Sequence, residues 1–249
     1  MSEATAVRHW RPPRGWLVAQ LAARVLVGLL ARLRVTGELP AHLRDGPLIL
    51  AANHIGPFDP IALSAACRSR RLAPRFLAMA ELFAQPVLGS VMRYWGHIPV
   101  DRRGAAALQA LPQARQALAA GAVVLVYPEG GIGRDPGLWP VRARTGTARL
   151  ALATGTPVVP VAHWGAHEVV PYSAPRGLLR ALPATIVRRP VIKVRFGAPV
   201  DLSGLCAQTP GDARRATERI LAAIIATLAP LRSDEPDRPR HHDPTRPAG

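Results

Sequence analysis

The chain has 249 residues, 49% of them apolar, 19% charged and only 5% aromatic, with 26 prolines and 21 glycines. That composition excludes a wholly disordered chain, and the length fits one large α/β domain or two small ones. The 32 basic residues, all arginine but for Lys193, face 16 acidic ones, and the resulting charge of +16 favours nucleic acid, an anionic bilayer surface or a phosphorylated substrate as partner.

Residues Met1 to Arg14 lack an apolar core, so no cleavable leader is expected. The stretch from Trp16 to Ala31 is apolar enough to enter lipid, but Arg24 sits in its middle and Arg32 and Arg34 close it. Burying an arginine in the bilayer costs about 3 kcal/mol or more. Two arrangements therefore stay open. A helix can lie in the headgroup plane with Trp10 and Trp16 at the interface and Arg14, Arg32 and Arg34 toward phosphates, or pack on the domain as an ordinary amphipathic helix. The first makes residues 1–36 a membrane-associating segment and 37–229 the folded domain, with 230–249, rich in Pro, Arg, Asp and His, as a disordered tail.

Downstream, Leu48 to Ala52 reads as a strand, and Asp59-Pro60 before Ile61 to Cys67 as a helix start with Asp59 as the cap. Phe76 to Met79 is a second strand, Pro86 to Trp95 a helix and His97 to Val100 a third strand. Ala105 to Ala120 is helical, kinked or started by Pro112 and stopped by Gly121. Ala122 to Val126 is a buried strand ending at Pro128-Glu129-Gly130, Arg142 to Ala153 a helix and Val158 to Ala162 another buried strand. Thr185 to Val187 and Val191 to Phe196 supply later strands. Asp212 to Leu228 is a helix with Ala216, Ile220, Ala223, Ile224 and Thr227 on one face. The alternation implies an α/β fold, a single domain with a largely parallel or mixed central sheet flanked by helices.

The loop Asn53-His54-Ile-Gly-Pro-Phe-Asp59 follows a strand and precedes a helix, where open α/β sheets place their sites. A histidine, with an ordinary pKa of about 6.5, can take a hydroxyl proton near neutrality, and a carboxylate on its other ring nitrogen fixes the tautomer. No side-chain nucleophile stands nearby, so such a base activates a substrate hydroxyl. Read alone, the pattern is equally a loop histidine beside a helix-capping aspartate. His163 and His167 share a metal-like i, i+4 spacing without HExxH and read as structural or surface residues, and His241-His242 lies in the polar tail. Cys67 and Cys206 form no CxxC pattern, which excludes a disulfide framework and fits a reducing compartment.

Three further blocks follow in order: Gly96-His-Ile-Pro-Val-Asp-Arg102, Tyr127-Pro-Glu-Gly130 and Val158-Val-Pro-Val161. Together with Asn53-His54 to Asp59 they resemble the lysophosphatidate acyltransferase family of glycerolipid acyltransferases, over about Leu48 to Ala162. The resemblance implies transfer of a fatty acyl group from acyl-CoA or acyl-carrier protein to the free hydroxyl of 1-acylglycerol 3-phosphate, with His54 as general base and Asp59 as its orienting partner. It implies substrate-binding roles for Asn53, Arg102, Glu129 and Gly130, with Arg102 on the acceptor phosphate. A loop carboxylate capping amides is the plainer reading of Glu129, a surface arginine beside Asp101 that of Arg102, and core that of Val158 to Val161. The family's Thr-Arg-Ser after Pro-Glu-Gly is here Gly131-Ile132-Gly133-Arg134. Either Arg134, Arg142 or Arg144 reaches the same phosphate, or the acceptor is another lysolipid or a glycolipid. A non-catalytic lipid-binding relative is the remaining alternative. No cofactor or metal is expected, the partners are the acceptor, the thioester donor and an anionic membrane surface, and the location is peripheral on the cytoplasmic face of the cell membrane. Nucleic acid is not expected: there is no helix-turn-helix, zinc-finger, RRM or KH signature. A serine hydrolase is a third class, and the lack of a G-x-S-x-G elbow counts against it.

Overall fold

A computed structural model of the chain describes residues 10–101, 110–172, 183 and 185–235. In chain order the elements are α1 (Arg14–Leu30), β1 (Arg32–Thr36), β2 (Leu48–Ala52), α2 (Asp59–Ser69), β3 (Arg75–Met79), α3 (Ala80–Phe83), α4 (Pro86–Tyr94), β4 (Ile98–Val100), α5 (Ala110–Ala119), β5 (Val123–Val126), α6 (Gly146–Thr154), β6 (Val158–Trp164), β7 (Val191–Phe196) and α7 (Asp212–Leu228). The strands form one seven-stranded sheet in the order β1-β7-β6-β2-β5-β3-β4. Every neighbouring pair is parallel except β6 and β7, so the expected α/β fold has a mixed sheet.

The period-two geometry of β2 divides the core. Leu48, Leu50 and Ala52 pack with α1 and α2 on one face, while Ile49 and Ala51 pack with α5, α6 and α7 on the other. All five are fully buried, which is why a continuous apolar run rather than an alternating one marks this strand. Each fully buried Leu or Ile stabilises the fold by about 1.5–3 kcal/mol. β2 lies between β6 and β5, with Leu50 facing Val159 and Leu125. The carboxyl ends of three adjacent strands therefore open onto one edge of the sheet.

Helix α1 is docked on this core. Trp16, Gln20, Val27 and Leu30 are buried, and the Gln20 side-chain amide donates to the carbonyls of Leu72 at 3.0 Å and Ser64 at 3.5 Å. Its other face stays apolar and open: Val18 is 65%, Val25 56% and Leu29 61% exposed. No helix among the described residues is long and apolar enough to cross a membrane.

Several elements differ from expectation. Arg32 and Arg34 do not close α1; Arg-Leu-Arg-Val-Thr alternates with strand period, and β1 pairs with β7 from Arg32 opposite Val191 to Thr36 opposite Arg195. A boundary at residue 36 thus cuts a sheet strand from its domain. Residues 185–188 are helical rather than a strand, because an apolar run that short carries no period and both sides of β7 are already paired. Helix α6 starts at Gly146, not Arg142, since the Arg144 amide is held by the Pro128 carbonyl at 2.8 Å. The stretch beginning at residue 230 is ordered at first: Ala229–Arg232 forms a 3₁₀ turn with Leu231 and Arg232 buried. Residues 236–249, with His241 and His242, lie outside the described residues, as do 102–109, which hold Arg102 and the expected start of α5.

Candidate active site

The loop after β2 carries the expected pair. His54 Nδ1 lies 2.8 Å from Asp59 Oδ2, and the same oxygen accepts the amides of Ile55 at 2.6 Å and Gly56 at 2.8 Å. Asp59 is the first residue of α2 rather than its cap; Phe58 takes the cap position, and the carboxylate folds back onto the loop instead. Asp59 is fully buried. Burial by itself raises its pKa, but the charge of His163, the hydrogen bond and charge of His54 and the Gly56 amide outweigh it, so the carboxyl sits below its ordinary value. An ionised Asp59 accepts from Nδ1–H and leaves the lone pair of His54 on Nε2.

Asn53, expected to touch substrate, sits behind this pair. It is fully buried, its Nδ2 donates to the His163 carbonyl at 3.0 Å and its Oδ1 accepts the His163 amide at 2.9 Å. Both ends of the amide are thus used to lock the end of β2 to β6. His163 is fully buried too, with Nε2 2.8 Å from the Asn53 carbonyl and 3.5 Å from Asp59 Oδ2. Burial lowers its pKa against the pull of Asp59 and the Asn53 carbonyl. His167 is also buried, its ring 4.6 Å from that of Trp164. Neither histidine is at the surface, and among the described residues no group of three His, Cys, Asp or Glu side chains can hold a metal ion.

The end of β5 supplies the second wall. Tyr127 stacks on the His54 ring with centroids 4.1 Å apart and planes inclined by 18°. Its hydroxyl is buried without a hydrogen-bond partner, and burial beside Asp59 and Cys67 pushes its pKa well above the usual phenol value. Tyr127 therefore acts as an apolar plate that limits the tilt of the imidazole. Glu129 Oε1 accepts the His54 amide at 2.8 Å, the capping role that a bare loop carboxylate suggests, now placed on the histidine itself. Gly130 has φ +74°, and a Cβ there would come within 2.7 Å of Arg144 Nε. A Cβ on Gly133 would come within 2.7 Å of Glu129 Oε2, and the Gly133 amide donates to the His54 carbonyl at 2.7 Å. His54, Asp59, Glu129, Gly130 and Arg144 are thus brought together, with Arg134 and Arg144 exposed on the same loop. Sequence reading gave no role to Tyr127 or to His163 beyond structure; an aromatic residue ending the strand beside β2 is the one local signal for the former.

A family model described as Acyltransferase matches residues 32–164, just over half of the chain. This chain belongs to the acyltransferase family. Among relatives, an uncharacterised protein of Mycobacterium tuberculosis is 33% identical over 138 residues, covering 51% of this chain and 36% of that protein. The chloroplastic 1-acyl-sn-glycerol-3-phosphate acyltransferase BAT2 of Brassica napus is 25% identical over 186 residues, covering 74% of this chain and 51% of that protein. The chain therefore spans a third to a half of the length of these relatives. In fold, the acyltransferase resembles the crystal structure of the 1-acyl-sn-glycerophosphate acyltransferase PlsC from Thermotoga maritima, with a TM-score of 0.61 over 84% of this chain and 78% of that one at 21% identity.

Proposed function

We propose that this acyltransferase moves a fatty acyl group from an acyl thioester to the free hydroxyl of a lysophospholipid, with 1-acylglycerol 3-phosphate as the first acceptor. The observation that carries this reading is the closure of Asp59 on His54 Nδ1, which leaves Nε2 as a base. Nε2 takes the hydroxyl proton as the oxygen attacks the thioester carbonyl; the C–S bond then breaks and the leaving thiolate recovers the proton from the imidazolium. Asp59 holds the tautomer and faces the cation that forms between the two steps. Arg134 and Arg144, exposed beside the site, suit an acceptor phosphate, because a guanidinium can bind it bidentately. The glycines at 131 and 133 in place of the family's Thr-Arg-Ser favour another lysolipid or a glycolipid as second candidate.

A peripheral position on an anionic membrane surface fits the same reading. The first turn of α1 meets the end of α4, where a Cβ on Gly15 would lie 3.3 Å from the Tyr94 ring, and α4 exposes apolar side chains as α1 does, with Val87 78% and Tyr94 66% exposed. Arg14, Arg24 and Arg93 are exposed on the same two helices. Deleting α1 would remove core residues, so the test is Val18, Val25 and Leu29→Gln: weaker co-sedimentation with vesicles containing anionic lipid is expected, and unchanged binding discards this face.

The deciding experiment measures transfer of labelled acyl groups from acyl-CoA and from acyl-carrier protein to lysophosphatidate, glycerol 3-phosphate and uncharged lysolipids, for wild type and His54→Ala. Transfer to lysophosphatidate lost in the variant is the expected result. Transfer confined to another acceptor reassigns the substrate, and His54→Ala with near wild-type rates overturns the mechanism.

A further inference from the structure

Arg232 is the most unusual buried charge outside the His54–Asp59 pair. It is 5% exposed, in the 3₁₀ turn that ends α7. Its guanidinium carbon lies 4.2 Å from the ring centre of Trp139 and 4.0 Å from that of Trp164, so the cation is held between two indole faces. Nε and Nη1 are buried without hydrogen-bond partners; burial lowers the pKa of the guanidinium, while the nearby carboxylates of Glu235 and Asp135 favour its charge. A buried charge ordinarily has a carboxylate or several acceptors in direct contact; here two aromatic quadrupoles cover the guanidinium, with the carboxylates of Glu235 and Asp135 acting on it through space.

The two indoles belong to the two halves of the site. Trp164 ends β6, directly after His163, and its ring touches that of His167, whose Cα lies 3.7 Å from where a Cβ on Gly56 would stand. Trp139 belongs to the loop that replaces the usual Thr-Arg-Ser. That loop is a succession of ties: Gly133 donates to the His54 carbonyl, Asp135 accepts the amides of Leu138 and Trp139, and Leu138 is buried at φ +59° with Ile55 and Trp164 in one small core. A leucine in the left-handed region stays there only when its surroundings fix it. The guanidinium adds a second tie between loop and sheet, from Trp139 to Trp164.

We infer that Arg232 is a positioning residue: by insertion between Trp139 and Trp164 it pins the 131–139 loop to the end of β6 and so keeps the Gly133 amide on the His54 carbonyl and the acceptor side of the site in shape. The effect on transfer rests on the acyltransferase reading proposed above; the effect on the loop does not. Lysine keeps the charge but loses the planar stack, and methionine keeps bulk and loses the charge.

The test compares the full chain with Arg232→Met and Arg232→Lys by hydrogen exchange and by kinetics at saturating donor. Expected for Arg232→Met is exchange at least tenfold faster in peptides covering 131–139 and 53–59, with β5, α5 and α7 peptides unchanged, and an acceptor KM raised at least fivefold at a kcat within twofold of wild type. Arg232→Lys should recover part of both. Exchange in those two peptides equal to wild type overturns the proposal, as does loosening spread evenly over the chain. A change in exchange with unchanged KM overturns the link to the acceptor. If wild type transfers to no acceptor, the acyltransferase reading fails, and the exchange pattern still decides whether Arg232 holds the loop.

Discussion

The two loops that meet over the end of β2 are held in opposite ways. The one from Asn53 to Asp59 is short and closed on itself, with a single buried carboxylate oxygen gathering His54, Ile55 and Gly56. The one from Tyr127 to Thr145 is long, exposes Arg134, Arg142 and Arg144, and is fixed at separated points by Gly133, Leu138 and the Arg144 amide. The difference separates two tasks. Proton transfer needs groups held to a fraction of an ångström, which a redundant buried network provides. Recognition of an acceptor tolerates variation, and this chain carries its departure from the family pattern in the long loop and none in the short one.

Asp59→Asn tests the short loop most severely. Transfer should fall on the order of 10³-fold with the fold retained, because an amide cannot hold the Nδ1–H tautomer as a carboxylate does. The variant should also lose part of the acid dependence of stability. The pKa of Asp59 is lowered in the folded chain, so its contribution is present above the ordinary carboxylate value near 4 and is lost as pH falls through the lower folded value. Urea unfolding at pH 7 and pH 3 measures it, and retained activity in Asp59→Asn would erase the distinction between the loops.

Acid unfolding from elsewhere must be separated from acid inactivation, and His97 is one source of it. Burial and the charge of Arg75 lower its pKa to about 4, and its Nδ1 accepts the Phe76 amide at 3.2 Å. The unfolded chain takes up this proton from about pH 6.5 downward, so roughly 3 kcal/mol of stability should be lost between pH 6.5 and 4. His97→Gln should flatten the melting temperature across that window; a slope equal to wild type would assign the acid sensitivity to other groups.

Glu129 joins the loops, and its substitutions tell bond from charge. Glu129→Ala should lower kcat about 10²-fold by freeing the His54 amide, whereas Glu129→Gln keeps an oxygen for that amide and should stay within about tenfold of wild type. Equal losses would make the charge the active element. The smallest effects belong to the long loop: Arg134→Ala and Arg144→Ala should each raise acceptor KM by about five- to tenfold with little change in kcat. A fall in kcat at constant KM would place them with the proton-handling loop.

Fold and site were legible to different depths. Strand β7 and helix α7 were readable to the residue, since a β-branched run and a long 3.6-residue period leave little choice. Strand β1 escaped because its arginines read as the end of a basic helix, and only β7, far along the chain, turns the Arg-Leu-Arg-Val alternation into a sheet edge. In the site, His54 and Asp59 lie close in sequence and meet through one turn. Asn53 and His163 are 110 positions apart, and His54 and Glu129 are 75 apart, so no local pattern discloses that Asn53 is a strut or that Glu129 holds a backbone amide.

The plate formed by Tyr127 also makes the site visible to magnetic resonance. An aromatic ring stacked 4.1 Å from the imidazole shields the protons lying over its face, so the ring-proton signals of His54 should be displaced upfield of those of a histidine free of aromatic neighbours, and should move downfield in Tyr127→Leu. One resonance, identified by its response to the loss of the Tyr127 ring, would then report the tautomer of the base during a titration with acceptor.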